Sequence, residues 1–191
     1  LSSEYNSVRY LLARLDPPEA DPDRKSPPLD LAIVIDASGS MAGLPLEAAK
    51  EATLRLVREL PDTTRLTIVS FAEDVVVHVD AMSLDKANQS EIFRRVAALQ
   101  TRGITNLFAG WQTGCAVLTP AESLAQGRRC HVVVLSDGHA NSGVVDRGRF
   151  AMQAAKELAR GISTSCVGVG DGYSPEQLSA LVSALAPQDP R

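Results

Sequence analysis

Asp36-Ala37-Ser38-Gly39-Ser40 sets one carboxylate and two hydroxyls at alternate positions directly behind the apolar run Leu31 to Ile35. These are hard oxygen ligands, and on a tight loop they point at one place. Magnesium takes such oxygens in a near-octahedral shell and usually retains waters, so a few protein ligands hold it while a position stays free. The segment is half a metal site. Ligands of an open α/β sheet collect outside the carboxyl ends of its strands, so the other half must come from loops at that end. Ser136-Asp137-Gly138, behind the apolar run His131 to Leu135, puts a second carboxylate at the matching place. Thr101 to Asn106 joins two predicted helices and carries the Thr105 hydroxyl just ahead of the second. A serine or aspartate behind a strand is also a common helix cap or turn former. The metal reading rests on the joint presence of Asp36, Ser38, Ser40, Thr105 and Asp137.

The elements that must position these residues alternate along the chain as stacked β-α units, which predicts a mostly parallel sheet. Leu31 to Ile35 and His131 to Leu135 are continuous apolar runs, the form of strands buried on both faces. Leu66 to Phe71 and Ile162 to Val169 are two further strands. Val75 to Val79 follows after only Ala72-Glu73-Asp74, too short a link for a crossover helix, so it must run antiparallel at an edge.

Helical stripes fill the intervals. Leu46, Ala49, Thr53, Leu56, Val57 and Leu60 mark one, ended by Pro61. Ile92, Phe93, Val96 and Leu99 mark the next. Leu107 to Leu118, holding the sole Trp111, stops before Pro120. Phe150, Ala151, Ala154, Ala155, Leu158 and Ala159 form a later stripe with Gly161 at its C-cap. Ser174-Pro175-Glu176-Gln177 combines an N-cap, a proline at the first helical position and a capping-box Gln, so a last helix runs to about Ala186.

Composition bounds the partners. The 191 residues suffice for one domain with a sizeable core, and 45% hydrophobic with 22% charged residues is ordinary globular composition. With 19 basic against 23 acidic residues the chain has no basic stripe, which argues against nucleic acid. The pairs Arg94-Arg95 and Arg128-Arg129 read as solvated faces. Cys115, Cys130 and Cys166 lack metal spacing and sit among apolar neighbours, as buried cysteines of a reducing compartment do. The expected location is cytoplasmic. No apolar run approaches the ~20 residues of a membrane span, and Leu1 to Tyr10 carries no signal segment, although a start at Leu fits a processed form or an excised piece. Asp16 to Pro28, rich in proline, reads as a connector behind a possible strand Val8 to Leu15. The expected organisation is an extension at 1–28, a domain at 29–186 and a tail at 187–191.

The donor set together with its flanks resembles a known family. Ile35-Asp36-Ala37-Ser38-Gly39-Ser40-Met41, Gly103-Ile104-Thr105-Asn106-Leu107, Leu135-Ser136-Asp137-Gly138 and Val167-Gly168-Val169-Gly170-Asp171-Gly172 are similar to von Willebrand factor type A (vWA) domains, in particular bacterial members and the inter-alpha-trypsin-inhibitor-like branch. The likeness runs from about Leu29 to Leu185. It implies a Rossmann-like three-layer α/β/α fold whose mostly parallel sheet carries one antiparallel edge strand. It also implies a metal-ion-dependent adhesion site, MIDAS, of Asp36, Ser38, Ser40, Thr105 and Asp137. In the family Mg²⁺ sits there, bound by the hydroxyls directly and by the carboxylates directly or through water, and a partner's Glu or Asp completes the shell. The ligand types equally suit Mn²⁺ or Ca²⁺. Two aspartates about balance a divalent charge and the hydroxyls add none, so the ion still attracts an external carboxylate.

Readings as an enzyme fit less well. A haloacid-dehalogenase-like phosphohydrolase needs a second Asp where Ser38 stands, Gly39 to Gly43 lacks the spacing of a hydrolase elbow, and no Walker loop occurs. Gly168 to Gly172, near the end of the domain rather than after a first strand, reads as a tight strand-to-helix turn rather than a phosphate cradle. His78, His131 and His139 are scattered, and His139 alone reaches the rim of the site. The expectation is therefore a non-enzymatic protein-binding module. The alternative role is an accessory domain that regulates an ATPase or another enzyme. Family domains usually close with one more strand, whereas Ala186 to Arg191 has no such pattern, so the sheet either lacks that edge or is covered by Val8 to Leu15.

Overall fold

The computed structural model describes residues 27–170 and 172–182. Five strands, β1 (Leu29–Asp36), β2 (Arg65–Phe71), β3 (Val75–Ser83), β4 (Arg129–Ser136) and β5 (Ile162–Gly168), form one sheet in the order β3-β2-β1-β4-β5. β1 lies at its centre, parallel to β2 and β4, and β4 is parallel to β5. β3 is the antiparallel edge strand that the short link after Phe71 demands. It runs past Val79 to Ser83, through register irregularities opposite Leu66 to Val69.

Side chains alternate across each strand, so the central strands feed two cores. Ala32, Val34, Val69, Phe71, Val132 and Val134 face α3 (Leu107–Ala116), α5 (Arg147–Ala159) and α6 (Pro175–Val182). Leu31, Ile33, Ile35, Leu66 and Ile68 face α1 (Leu44–Glu59) and α2 (Lys86–Ala97). The result is the expected three-layer α/β/α arrangement. α3 lies close against the sheet because Gly110 and Gly114 have no side chain. A Cβ at Gly110 would stand 2.3 Å from the Phe71 ring, and one at Gly114 2.4 Å from Val34. Trp111, fully buried, donates its ring N–H to Thr164 Oγ1 at 3.2 Å.

Several expectations need correction. The helix begun at Leu107 ends at Ala116, and an additional short helix, α4 (Pro120–Ala125), starts at Pro120 rather than ending before it, since proline suits the first helical turn. On α5 the core-facing line is Phe150, Ala154 and Glu157, while Ala155, Leu158 and Ala159 are exposed. Glu157 is tolerated inside because Arg160 and Gln153 donate to its two oxygens at 2.6 and 2.8 Å.

Arg128 is not a solvated residue: it donates to the buried Asp30 at 2.6 Å and to the backbone oxygens of Leu29 and Thr63. Arg94 and Arg95 do lie on a helix surface, both paired with Glu91. Cys115 and Cys130 are buried and Cys166 half-buried, and all are free thiols. Burial pushes Cys115 and Cys166 up to about 12. No helix among the described residues is long and apolar enough to cross a membrane. Val8 to Leu15, most of the proline-rich connector and the stretch from Ser183 to Arg191 lie outside the described residues.

Candidate metal centre

β1 and β4 both end at the same edge of the sheet, and their register, Ile35 opposite Leu135, sets Asp36 beside Ser136 and Asp137. Asp36 and Ser38 are wholly buried, Asp137 and Thr105 nearly so, and Ser40 is exposed on the short 3-10 turn Gly39–Met41. This gradient runs from a fixed acid at the base to a hydroxyl open to solvent.

Local hydrogen bonds hold the loop in place. The Ser38 N–H donates to Asp36 Oδ1 at 2.9 Å, an Asx-type turn that folds Ser38 back over the carboxylate. The Ser38 and Ser40 hydroxyl oxygens then lie 3.1 Å apart. Alternate spacing brings the two hydroxyls together, as read from the residues. The Thr105 loop is tied to the same place by the backbone: Gly39 N donates to Gly103 O at 3.1 Å and Arg102 N to Ala37 O at 2.7 Å. A third segment clasps Thr105. Its N–H donates to Asn141 Oδ1 at 2.9 Å, while Asn141 N and Ser142 N both donate to its carbonyl at 3.1 Å.

Asp137 is placed by its own neighbours. His139 N donates to its Oδ1 at 3.0 Å, and the His139 ring nitrogen Nδ1 lies 3.3 Å from the same oxygen. The Asp137 carbonyl accepts from Ser174 N at 2.7 Å, just ahead of α6. Gly138 next to it has φ +73°, and a Cβ there would meet Ser174 O at 2.2 Å, so only glycine fits this turn. His139 does reach the rim, half-exposed. His78 binds Ser70 on the β3 edge, and His131 binds Ser163 and Ser165 at the opposite end of the sheet.

The electrostatics at Asp36 are one-sided. Burial pushes the Asp36 carboxyl above its usual value. Donors from Ser136 and Ser38 oppose that shift without overcoming it, and the negative charge of Asp137 adds to it. Every buried polar side-chain atom among the described residues has a hydrogen-bond partner. Asp36 is thus satisfied in hydrogen bonds, and no cationic group among the described residues offsets its charge. Two carboxylates with three hydroxyls suit a hard divalent cation. Among the described residues no group of three or more His, Cys, Asp or Glu converges, so a site of soft or all-acidic ligands is not built here.

Ser136 and Asn141 are parts of this arrangement that the residue types alone did not disclose. Their partners are Asp36 and Thr105, remote in sequence, and no local pattern marks such pairs.

The model of the von Willebrand factor type A domain matches residues 30–189. The chain belongs to this family. Domains of the family generally mediate metal-dependent protein–protein interaction. An uncharacterized protein of Synechocystis sp. is 28% identical over 166 residues, which is 87% of this chain and 38% of that protein. Human inter-alpha-trypsin inhibitor heavy chain H3 is 32% identical over 122 residues, 61% of this chain and 14% of its own length. The vWA chain thus spans well under half of these relatives. Proximal thread matrix protein 1 of the mussel byssus, in a structure with a zinc-occupied MIDAS motif, has a TM-score of 0.66 at 21% identity, over 81% of this chain and 39% of that one.

Proposed function

We propose that this vWA domain docks a protein partner through a divalent cation, with Mg²⁺ as its working metal, held by Asp36, Ser38, Ser40, Thr105 and Asp137. The observation that carries the reading is the buried Asp36 carboxylate, whose charge no cationic group among the described residues balances, beside four further oxygen ligands on loops that meet at one sheet edge. Ser38, Ser40 and Thr105 supply neutral oxygens, and Asp36 and Asp137 supply the charge. A cation held this way offers an open coordination position to an Asp or Glu of the partner. The hydroxyls make that possible. Two carboxylates roughly cancel the ion's charge, whereas four would cancel it twice over and repel an acidic partner. Exposure of Ser40 and His139 leaves that side of the site accessible. The MIDAS named in the mussel byssus protein supports the same assignment, although the metal there is zinc. Docking, not turnover, is the proposed activity.

The test is an affinity pull-down from the source proteome with Mg²⁺ and with EDTA, run beside Asp36→Ala. A partner retained in Mg²⁺, released by EDTA and lost on the variant supports the reading. A partner held equally in EDTA, or by Asp36→Ala, overturns it.

A further inference from the structure

We propose that Ser136 is a positioning residue for the Asp36 carboxylate, pinning together the two segments that carry the acidic ligands; this rests on the metal reading above. Ser136 is the last residue of β4 and wholly buried. Its hydroxyl donates to Asp36 Oδ2 at 2.5 Å and accepts from the Gly138 N–H at 2.9 Å. A serine hydroxyl has a single proton. With the Gly138 donor occupying a lone pair, that proton is directed to Asp36. The other carboxylate oxygen, Oδ1, is held by the Ser38 N–H. Both oxygens are therefore gripped from different segments, and the carboxylate plane cannot turn without losing a donor.

The grip extends to the second acid. Gly138 directly follows Asp137, and its conformation is fixed by positive φ and by close approach to Ser174 O. The Ser136 carbonyl accepts from Val169 N at 3.1 Å, which anchors the serine to the segment leaving β5. One side chain thus registers Asp36 on β1 against Asp137 behind β4. Its neutrality matters as much as its place. An arginine or lysine at this point would cancel the charge of Asp36, while a hydroxyl orients the carboxylate and leaves its charge for the cation. Partners of metal-binding residues in other sites change metal affinity 10- to 100-fold when removed.

Calorimetric titration of the whole chain with Mn²⁺ tests this. Ser136→Ala is expected to weaken Mn²⁺ binding about 10- to 100-fold. Ser136→Cys, which keeps the bulk but has only a weak donor, is expected to weaken it similarly and carries the test if the alanine variant does not fold. Ser136→Thr keeps the hydroxyl and is expected to bind near the wild-type level. Its extra methyl lowers the melting temperature equally with metal and with EDTA, the mark of a packing effect alone. Wild-type affinity in the Ala or Cys variant, or equal weakening in Thr and Ala, overturns the proposal while leaving the metal reading intact. A wild-type chain that takes up no Mn²⁺ overturns both.

Discussion

Asp30 and Asp36 stand at opposite ends of β1, both buried, and the protein treats them in opposite ways. Asp30, 6% exposed, receives Arg65 through both oxygens at 2.7 Å, Arg128 at 2.6 Å and the Ser123 hydroxyl at 2.5 Å. Burial is the largest single influence on its carboxyl and pushes it up, but these donors together outweigh it and hold the group below its usual range. Among the described residues Asp36, 0% exposed, has only neutral donors and the repulsion of Asp137, and its carboxyl stays raised. One end of the strand is a closed ion cluster that joins β1, β2, α4 and the start of β4. At the other end the carboxylate meets hydroxyl and N–H donors and a second acid, and no cationic partner among the described residues. Equal burial therefore does not mean equal surroundings; the sign of the neighbouring charge separates the fastening at Asp30 from the proposed cation site at Asp36.

The sharpest way to break this comparison is at the Asp30 end. Asp30→Ala leaves Arg128, with an 11% exposed side chain, without its carboxylate, and a loss of about 3–5 kcal/mol in urea unfolding is expected. A loss no larger than that of a surface substitution would show that the cluster is not a fastening.

At the Asp36 end the largest effect comes from metal. Mg²⁺ at a hundred times its dissociation constant should add about 2.7 kcal/mol to wild-type stability and raise the melting temperature, with EDTA reversing the change. An unchanged melting curve in both conditions contradicts the assignment of a cation to this end.

Acid titration in EDTA should then separate the two groups by sign. The folded Asp30 carboxyl lies below its reference value of 3.8, so its contribution is complete above that value and is lost as pH falls through the folded pKa. The folded Asp36 carboxyl lies above 3.8, so stability falls as pH rises from there through the folded pKa. Melting curves against pH should show Asp30→Asn removing the first slope and Asp36→Asn the second.

The smallest effect should be that of Asp36→Asn in EDTA at neutral pH, where relief of the buried charge offsets the acceptor lost to Ser38 or Ser136 and the melting temperature changes little. The same variant should show no gain from Mg²⁺. A large fall in EDTA would place Asp36 with Asp30, as a structural group.

Much of the architecture was legible because its signals are local. Continuous apolar runs announced β1 and β4, the three-residue link after Phe71 required an antiparallel β3, and alternate donors on Asp36, Ser38 and Ser40 could be read as one loop. The arginine pair at 128–129 misled because a charge run looks the same whether solvated or paired, and the Asp30 partner of Arg128 is remote in sequence. α5 misled in a similar way: Leu158 looks like core and Glu157 like surface, until Arg160 and Gln153 are seen to satisfy the glutamate. α4, which supplies Ser123 to Asp30, was hidden because proline was read as an end when it marked a beginning.

By itself the sequence determined the order of strands and helices and which oxygen-bearing side chains stand behind the strands, all of which follow from residue type and short spacing. Only the tertiary structure decided which of two buried aspartates on one strand meets guanidinium groups and which meets, among the described residues, only neutral donors and a second acid. That difference depends on hydroxyls and guanidinium groups arriving from segments far along the chain, and a free energy of burial is settled by the whole surroundings of a charge.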